Sequence, residues 1–287
     1  MSRIVYVNGR YLAYAEAVVH AEDRGFQFAD AVYEVCEVRD GRLVDERAHM
    51  QRLRRSLAAI SIPEPMSEPA WARVMRETVR RNRVRDGLVY LQVSRGARPR
   101  DFLFPPADTK PTVVCLARAT SRAALEHRAA EGIAVKTLPD NRWERCDIKT
   151  VMLLPASLAK EAVRSAGARE AWFVDEEGYV TEGASSNAWI VDGAGRVITR
   201  PADRALLCGV ARTTLTALLR RAGLELVERA FTVEEARRAR EAFITSATNT
   251  VMPVVAIDGQ PIGNGEPGSL TAMLRSMFHS AAEIAAD

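Results

Sequence analysis

The chain has few of the residues that bind metals or form disulfides. Of its 287 residues, four are cysteine and four are histidine. The cysteines lie far apart, at Cys36, Cys115, Cys146 and Cys208. Because no CxxC pair is present and the histidines lack metal-ligand spacing, we expect no metal, no zinc site and no disulfide framework. Free thiols of this kind predict a protein of the reducing cytoplasm.

The sequence also lacks a cluster of basic residues and a long apolar run. Its net charge is +3, and it is 47% hydrophobic and 27% charged, as ordinary globular proteins are. A nucleic-acid-binding face needs clustered Lys and Arg, and a membrane helix needs roughly 20 apolar residues in succession. Polar residues at Asn8, Arg10 and Glu16 interrupt the N-terminal apolar stretches, which is not typical of a signal peptide. We therefore expect no nucleic-acid partner, no membrane association and no leader.

The first hundred or so residues mix strand and helix patterns. Residues 4–14 alternate apolar and polar side chains around Asn8-Gly9, which predicts a hairpin. The further strands predicted here are 33–38, 88–95 and 112–119, and the helices predicted from apolar spacing are 47–60 and 67–82. Strands mixed with helices in this way predict an α+β arrangement.

A second set of elements follows residues 119–124, which we interpret as a segment between two domains. The predicted helices are 123–130, 155–166 and 209–222, and the predicted strands are 132–138, 171–175, 187–191 and 242–246. Thr232 and Glu235 form a capping box that opens a further helix. Residues 263–268 fit the pattern G-x-G-x-x-G, but only one terminal helix is predicted after them. A dinucleotide site needs a second parallel strand, so we expect a loop there.

Lysine is scarce as well, since 36 of the 40 basic residues are arginine. The four lysines are Lys110, Lys136, Lys149 and Lys160. We expect three of them to be solvated surface charges. Lys149 differs, because apolar residues 151–154 follow it and Arg142 and Arg145 precede it. Such surroundings lower the pKa of a lysine and favour a nucleophile that forms Schiff bases, with a surface charge as the alternative.

Two motifs make the sequence resemble a known family. The first is Arg145-Cys146-Asp147-Ile148-Lys149, and the second is Val180-Thr181-Glu182-Gly183-Ala184-Ser185-Ser186-Asn187. Together they resemble the fold-type IV pyridoxal-phosphate (PLP) enzymes, and among these the D-amino-acid aminotransferases. The supporting segments are residues 22–28, 33–35 and 95–100. The resemblance runs nearly end to end and is more specific for the fold type than for the substrate.

The resemblance implies catalytic roles for two residues. Lys149 would bind PLP covalently and move the proton of the substrate Cα once the substrate has displaced it. Glu182 would pair with the pyridine nitrogen of PLP, which keeps the ring protonated and able to accept electrons.

The resemblance also implies a site for the PLP phosphate. The implied donors are Arg52, Val210, Ala211, Ser246, Ala247 and Thr248. An arginine suits phosphate through its bidentate fork, and the first N–H groups of a helix bind anions. Ala211 and Ala247 stand where D-amino-acid aminotransferases typically have threonines. We therefore expect PLP to bind more weakly than is typical of the family.

The implied substrate site departs from the family at one position. Its residues are Tyr33, Val35, Arg98, Arg100 and Phe102. Tyr33 and Arg100 match a tyrosine and an arginine that bind the α-carboxylate in D-amino-acid aminotransferases. Phe102 replaces the histidine that is the third donor there, and Arg98 is a nearby substitute. The alternative role of Phe102 is packing at an interface.

The fold implied by the resemblance is α/β (α+β), with two domains and PLP in the cleft between them. We expect a small N-terminal α/β domain over residues 1–118, an interdomain segment over 119–124 and a larger C-terminal α/β pseudo-barrel domain over 125–287. A homodimer is implied, because the Arg100 loop matches one that completes the site of the partner subunit.

The expected reaction moves the amino group of a D-amino acid to a 2-oxo acid such as pyruvate or 2-oxoglutarate. Phe102 predicts a specificity relaxed toward (R)-primary amines. The alternatives within PLP chemistry are an (R)-amine or branched-chain amino-acid transaminase and an aminodeoxychorismate lyase. The presence of both Lys149 and Glu182 argues against a homologue that has lost catalysis.

Overall fold

A computed structural model describes residues 3–284 of the chain, which form two compact units. The first unit contains residues 3–122, Ile148–Met152 and residues 283–284, and the second contains Ala123–Asp147 and Leu153–Ala282. The domain boundaries predicted from the sequence stay a prediction. Within residues 3–284, no helix is both long and apolar enough to cross a membrane.

The first unit is built on a six-stranded sheet with the order β2-β1-β6-β5-β3-β4. Its strands are β1 (Ile4–Val7), β2 (Arg10–Ala13), β3 (Ala31–Arg39), β4 (Arg42–Leu43), β5 (Gly87–Ser94) and β6 (Thr112–Ala119). Every pair is antiparallel. The predicted hairpin is confirmed: Val7 pairs with Arg10, and Asn8 and Gly9 both have positive φ, as the tight turn requires.

Helices cover one face of this sheet. The helices of the first unit are α1 (Arg24–Phe28), α2 (Glu46–Ala59) and α3 (Glu68–Arg81). Trp71 and Met75 of α3, which lie at helical spacing, are buried with Leu53 of α2 and Cys36 of β3 in one core cluster. Because side chains alternate along a strand, the other face of β3 carries Tyr33 and is only partly buried.

The segment Ile148–Met152 lies along the start of β3. The backbone N–H of Tyr33 donates to the carbonyl of Lys149 (3.0 Å), and that of Val151 donates to the carbonyl of Ala31 (3.1 Å). Ile148 is buried in the core of the first unit. Backbone pairing at the edge of the sheet thus fixes the position of Lys149.

The second unit is built on a nine-stranded sheet with the order β12-β11-β10-β13-β14-β7-β8-β9, with β15 paired to β14. Its strands are β7 (Ile133–Pro139), β8 (Glu170–Val174), β9 (Val180–Gly183), β10 (Asn187–Val191), β11 (Val197–Thr199), β12 (Leu226–Glu228), β13 (Glu241–Ser246), β14 (Thr250–Ile257) and β15 (Gln260–Pro261). Although β9 and β10 lie far apart in this order, residues 184–186 alone connect them. The sheet therefore curls back on itself, as the predicted pseudo-barrel does.

The central strands of the second unit are buried on both faces. Its helices are α4 (Arg122–Glu131), α5 (Leu154–Ser165), α6 (Val210–Arg221), α7 (Val233–Arg238) and α8 (Ser269–Ala281), with Arg122 counted in the first unit. Trp189 and Phe243 pack with α6 and α8, whereas Ile190 and Ile244 belong to a separate cluster on the other face. The predicted capping box at Thr232 and Glu235 is confirmed.

The elements predicted from periodicity all form, with ends within two residues of the predicted ones. The elements outside the predicted ranges are α1, β4, β9, β11, β12, β14 and β15. Strand β14 contains Pro253, and a proline inside an apolar run argues against a strand. In the structure Pro253 pairs with Phe243 of β13. Residues 263–268 form a loop before α8, so the G-x-G-x-x-G pattern carries no dinucleotide fold, as predicted.

Candidate active site

In the first unit, Lys149 lies beside Tyr33. The Lys149 Nζ is 4.2 Å from the centre of the Tyr33 ring, and its side chain is half-buried. The ring of Tyr90 also stacks on that of Tyr33, at 5.5 Å between the ring centres. Val35 follows on the same face of β3 and pairs with Tyr90. The structure therefore places the predicted residues Tyr33 and Val35 on one half-buried face of β3, with the Lys149 amine beside Tyr33.

Arg52 lies on α2 and binds Glu34 of β3. Its Nε and Nη2 donate to the two carboxylate oxygens at 2.7 and 2.8 Å, and His49 Nδ1 contacts the same carboxylate at 2.8 Å. All three side chains are buried. Burial alone would raise the pKa of Glu34, but Arg52 and His49 outweigh it and hold that pKa well below its ordinary value. The proposed phosphate role of Arg52 stays a prediction.

The loop over residues 96–109 carries the other predicted substrate residues. Arg98 holds its ends together by donating to Asp108 (2.9 Å) and Thr109 (3.0 Å). Arg100 is exposed and has no ion pair within the described chain, and its guanidinium lies 5.4 Å from the Phe102 ring centre. Phe102 itself is 79% exposed. Arg100 is thus a cation available to an anionic group, whereas the role of Phe102 stays a prediction.

In the second unit, Glu182 at the end of β9 accepts bonds from three donors. Arg142 Nη1 donates to Oε1 at 2.5 Å, while Asn187 Nδ2 (3.1 Å) and the backbone N–H of Leu207 (3.2 Å) donate to Oε2. Glu182 is 5% exposed. Three N–H donors on one buried carboxyl group are the pattern of an ionised carboxylate.

Arg142 makes several hydrogen bonds besides the one to Glu182. Its Nε and Nη2 also bind Asp140, at 2.9 and 2.8 Å, and Nη2 donates to the carbonyl of Ala205. Burial opposes the charge of Arg142, but Asp140 and Glu182 outweigh it and hold the pKa of the guanidinium above its ordinary value. The Arg142 guanidinium therefore stays charged beside the two carboxyl groups.

Asn187 brings the predicted phosphate-binding segments close to Glu182. It donates to the carbonyl of Leu207 (2.8 Å), and a Cβ on Gly209 would meet its Oδ1 at 2.3 Å, so the chain passes it closely. Gly209 is the N-cap of α6, which has no side-chain cap, and Val210 and Ala211 follow it. Asn187 also pairs with Thr245, one residue before the turn that joins β13 to β14.

That turn contains the remaining predicted phosphate donors. Ser246 ends β13 and accepts a bond from the backbone N–H of Asn249 (3.1 Å), and its hydroxyl lies 3.5 Å from that of Thr248. Ala247 and Thr248 form the turn itself. The start of α6 and the turn after β13 therefore both carry backbone N–H groups or hydroxyls near Asn187.

Sequence reasoning missed several partners of these residues. Glu34 and His49 had no assigned role, although a charged residue on the buried face of an alternating strand was a usable signal. Arg142 was noted as a cation near Lys149, but not as the partner of Glu182. Lys160 is partly exposed, as expected of a surface lysine, but the sequence did not reveal that its Nζ lies 2.8 Å from the buried Glu170 carboxylate.

The sequence of the chain matches a known protein family and several of its members. Residues 31–257 match the amino-transferase class IV family. The chain is 38% identical over 276 residues to the D-alanine aminotransferase of Bacillus licheniformis, a match that covers 96% of both chains. It is 35% identical to the D-alanine aminotransferase of Staphylococcus haemolyticus, again over 96% of both.

Solved structures agree on the fold. The branched-chain amino acid aminotransferase of Escherichia coli superposes with a TM-score of 0.87 at 23% identity, over 97% of this chain and 93% of that one. A hypothetical aminotransferase of Mycobacterium tuberculosis in a PLP-bound form gives 0.85 at 23% identity, over 97% and 98%. With the family match over most of the chain, these findings identify the protein as a member of the class IV aminotransferases.

Proposed function

We propose that this aminotransferase moves the amino group of a D-amino acid to a 2-oxo acid such as pyruvate or 2-oxoglutarate. The observation that carries the proposal is the likeness to D-alanine aminotransferases over 96% of both chains. The branched-chain enzymes are similar in fold at under 25% identity, so that likeness does not favour their substrates.

Pyridoxal phosphate is the cofactor of class IV aminotransferases, and the residues of this chain fit it. The ionised Glu182 suits the N–H of a protonated pyridine ring. The start of α6 and the turn after β13 offer backbone N–H groups and hydroxyls to a phosphate, and Arg52 is the proposed guanidinium donor. When bound, PLP supplies an electron sink for the bonding electrons released at the substrate Cα. Since Ala211 and Ala247 lack hydroxyls, we expect weaker binding than with threonines there.

The roles that we propose for the protein groups are those implied by the resemblance to the family, and the surroundings of each group support them. Lys149 Nζ would hold the cofactor and, once free, would serve as the base for the proton of the substrate Cα. Arg142, Asn187 and the N–H of Leu207 fix the Glu182 carboxylate in its charged form. Tyr33 and Arg100 orient the substrate by its α-carboxylate, and the phenol ring of Tyr33 also packs against the amine.

Lys149→Ala tests this assignment. We expect turnover to fall by several orders of magnitude, because the base and the covalent anchor are lost together. Borohydride treatment of the PLP-loaded wild type, followed by peptide mass mapping, should place the cofactor on the peptide that contains Lys149. Lys136→Ala, at an exposed strand position, is the matched control and should keep wild-type turnover. Attachment at Lys136 or Lys160 would contradict the assignment.

A donor panel separates the proposed substrate class from its rivals. D-alanine, D-glutamate, L-leucine and (R)-1-phenylethylamine are each offered to the PLP-loaded enzyme with pyruvate or 2-oxoglutarate. We expect keto product from the D-amino acids and a smaller yield from the amine. Activity with L-leucine alone would replace the proposal by a branched-chain transaminase, and pyruvate release from aminodeoxychorismate by a lyase.

We also propose that the protein works as a homodimer in which the Arg100 loop completes the site of the partner subunit. The support is the exposed apolar tip of that loop, where Phe102, Leu103 and Phe104 are 79, 76 and 62% exposed. Apolar clusters of this kind mark interaction surfaces. Mixed dimers of Lys149→Ala and Arg100→Met test it, because each mixed dimer then regains one complete site. At low D-alanine we expect about a quarter of wild-type activity after subunit exchange. No gain on mixing would place Arg100 in its own subunit's site.

A further inference from the structure

Arg24, the first residue of α1, connects the body of the first unit to the loop over residues 96–109. It is 4% exposed, although it is charged. Its Nε donates to Asp30 Oδ2 at 2.8 Å, and its Nη1 donates to the carbonyls of Asp101 (2.6 Å) and Leu103 (3.3 Å). One guanidinium thus binds a carboxylate that is only 10% exposed and also the backbone of the loop tip.

Asp30 is in turn held by a second buried arginine. Arg95, 6% exposed, donates to both carboxylate oxygens of Asp30 at 2.7 and 2.9 Å. It also donates to the carbonyls of Ile60 and Ser61, which follow α2, at 2.6 and 2.9 Å. The Arg24–Asp30–Arg95 cluster is therefore attached to the backbone just after α2 as well as to the loop.

The loop tip has few other attachments to the unit. Phe104 packs on Arg95 with 3.7 Å between the guanidinium carbon and the ring centre, and Phe102 packs edge-on against Phe28 of α1 at 5.7 Å. Arg100 lies over Phe28 at 5.0 Å. Ring contacts define distance but leave room for sliding, whereas the two hydrogen bonds from Arg24 fix the backbone on both sides of Phe102.

We propose that Arg24 is a positioning residue for the substrate carboxylate. Held by Asp30, which Arg95 also binds, Arg24 fixes the position of the loop backbone and therefore the position of the Arg100 guanidinium. This inference rests on the proposed function of Arg100. A guanidinium displaced by about 1 Å from a carboxylate loses its paired hydrogen bonds, which typically costs tenfold or more. Arg24 acts through Arg100 and touches no substrate itself.

A double-mutant cycle on the PLP-loaded enzyme tests the proposal. In the wild-type background, Arg24→Met should raise the KM for D-alanine about tenfold or more and leave kcat within about threefold. In the Arg100→Met background, the same change should raise KM no further, because no guanidinium is left to position. A purely structural role predicts equal effects in both backgrounds. Equal effects, or an unchanged KM in the wild-type background, would overturn the proposal.

Two further variants keep the test decisive. Arg24→Lys retains the charge, but a single nitrogen cannot bind Asp30 and two carbonyls together, so we expect the same rise in KM with a smaller loss of folded protein. Arg54→Met is the matched control, since Arg54 binds Glu64 and Glu68 on the surface and does not contact the loop; its KM should stay unchanged.

Hydrogen exchange separates a failure of this inference from a failure of the proposed function. In Arg24→Met, the amide of Leu103, which donates to Asp101 Oδ1 at 3.0 Å, should exchange faster than in the wild type. Unchanged exchange overturns the anchoring by Arg24, whatever the substrate. If exchange is faster but Arg100→Met itself leaves KM unchanged, the proposed role of Arg100 has failed, and the positioning role falls with it.

Discussion

Glu34 and Glu182 are both buried carboxylates that face an arginine, but the elements that enclose them differ. Glu34 lies in the middle of β3 and accepts its bonds from Arg52 and His49, two side chains of the helix packed on that strand. Glu182 lies at the end of a strand, and its partners are the loop residues Arg142 and Leu207 and the first residue of β10, Asn187. A carboxylate that is enclosed by a helix and a strand typically stabilises their packing. Binding and catalytic residues lie more often at strand ends and in loops. The comparison predicts that a substitution of Glu34 changes the stability of the protein and that a substitution of Glu182 changes its catalytic rate.

Glu34→Gln should have the largest effect, and it should be an effect on stability. The change leaves the buried Arg52 without its counter-charge, and breaking a buried pair in this way costs about 3–5 kcal/mol. Urea unfolding at neutral pH measures the loss. Glu77→Gln is the matched control, because Glu77 binds Arg80 and Arg81 at the surface of α3 and should lose less than about 1 kcal/mol. Equal losses in the two variants would remove the distinction between enclosed and exposed pairs.

The same pair predicts a pH dependence with a definite sign. The folded-state pKa of Glu34 is below its ordinary value, because Arg52 and His49 outweigh the effect of burial. The unfolded chain therefore takes up the proton first, at about pH 4.3. The stabilisation is fully present above that pH and is lost as the pH falls toward the folded pKa. The difference in unfolding free energy between wild type and Glu34→Gln should be largest at neutral pH and shrink below about pH 4.3.

The sequence predicts the surroundings of these carboxylates only in part, because those surroundings depend on contacts between residues that are distant in the chain. The strand that carries Glu34 follows from local alternation, but its burial depends on Arg52, 18 residues later. The motif around Glu182 pointed to a functional carboxylate through its resemblance to a family, yet its partner Arg142 lies 40 residues earlier. The place of Lys149 beside Tyr33 depends on backbone pairing across more than a hundred residues, which no local pattern contains. Periodicity reports faces and ends of elements, not which faces meet.

Glu182→Gln should act on chemistry rather than on stability. The amide cannot stabilise a protonated ring nitrogen as a carboxylate does, so we expect kcat to fall about 100-fold or more, the usual cost of one lost electrostatic partner in an active site. PLP should still bind, since the proposed phosphate donors remain, and its visible absorbance should shift. Glu241→Gln is the matched control: this buried glutamate of the same unit accepts bonds from Leu270 and Thr271 at the start of α8, and its loss should lower stability without changing kcat. Near-normal activity of Glu182→Gln would remove Glu182 from its assigned role.

Phe102→His should have the smallest effect, and it extends the comparison to the exposed loop. A hydrogen bond to a charged group is typically worth about 1.5–3 kcal/mol, so a histidine that reaches the substrate carboxylate should lower the KM for D-alanine about tenfold. A polar ring also makes the site less favourable for a substrate without a carboxylate, so the turnover of (R)-1-phenylethylamine should fall. Initial rates with both donors, each over a range of concentrations, measure the two effects.

Phe104→His is the matched control for that prediction, because Phe104 lies in the same loop but packs on Arg95. It should change neither KM. If Phe102→His also leaves both substrates unchanged, then Phe102 does not face the substrate, and its 79% exposure reflects a ring that packs at an interface between subunits. If the wild type shows no activity with the amine while D-alanine reacts normally, the specificity is not relaxed. Arg100 and Tyr33 would then be sufficient to select carboxylate substrates, with an apolar ring in place of the third donor.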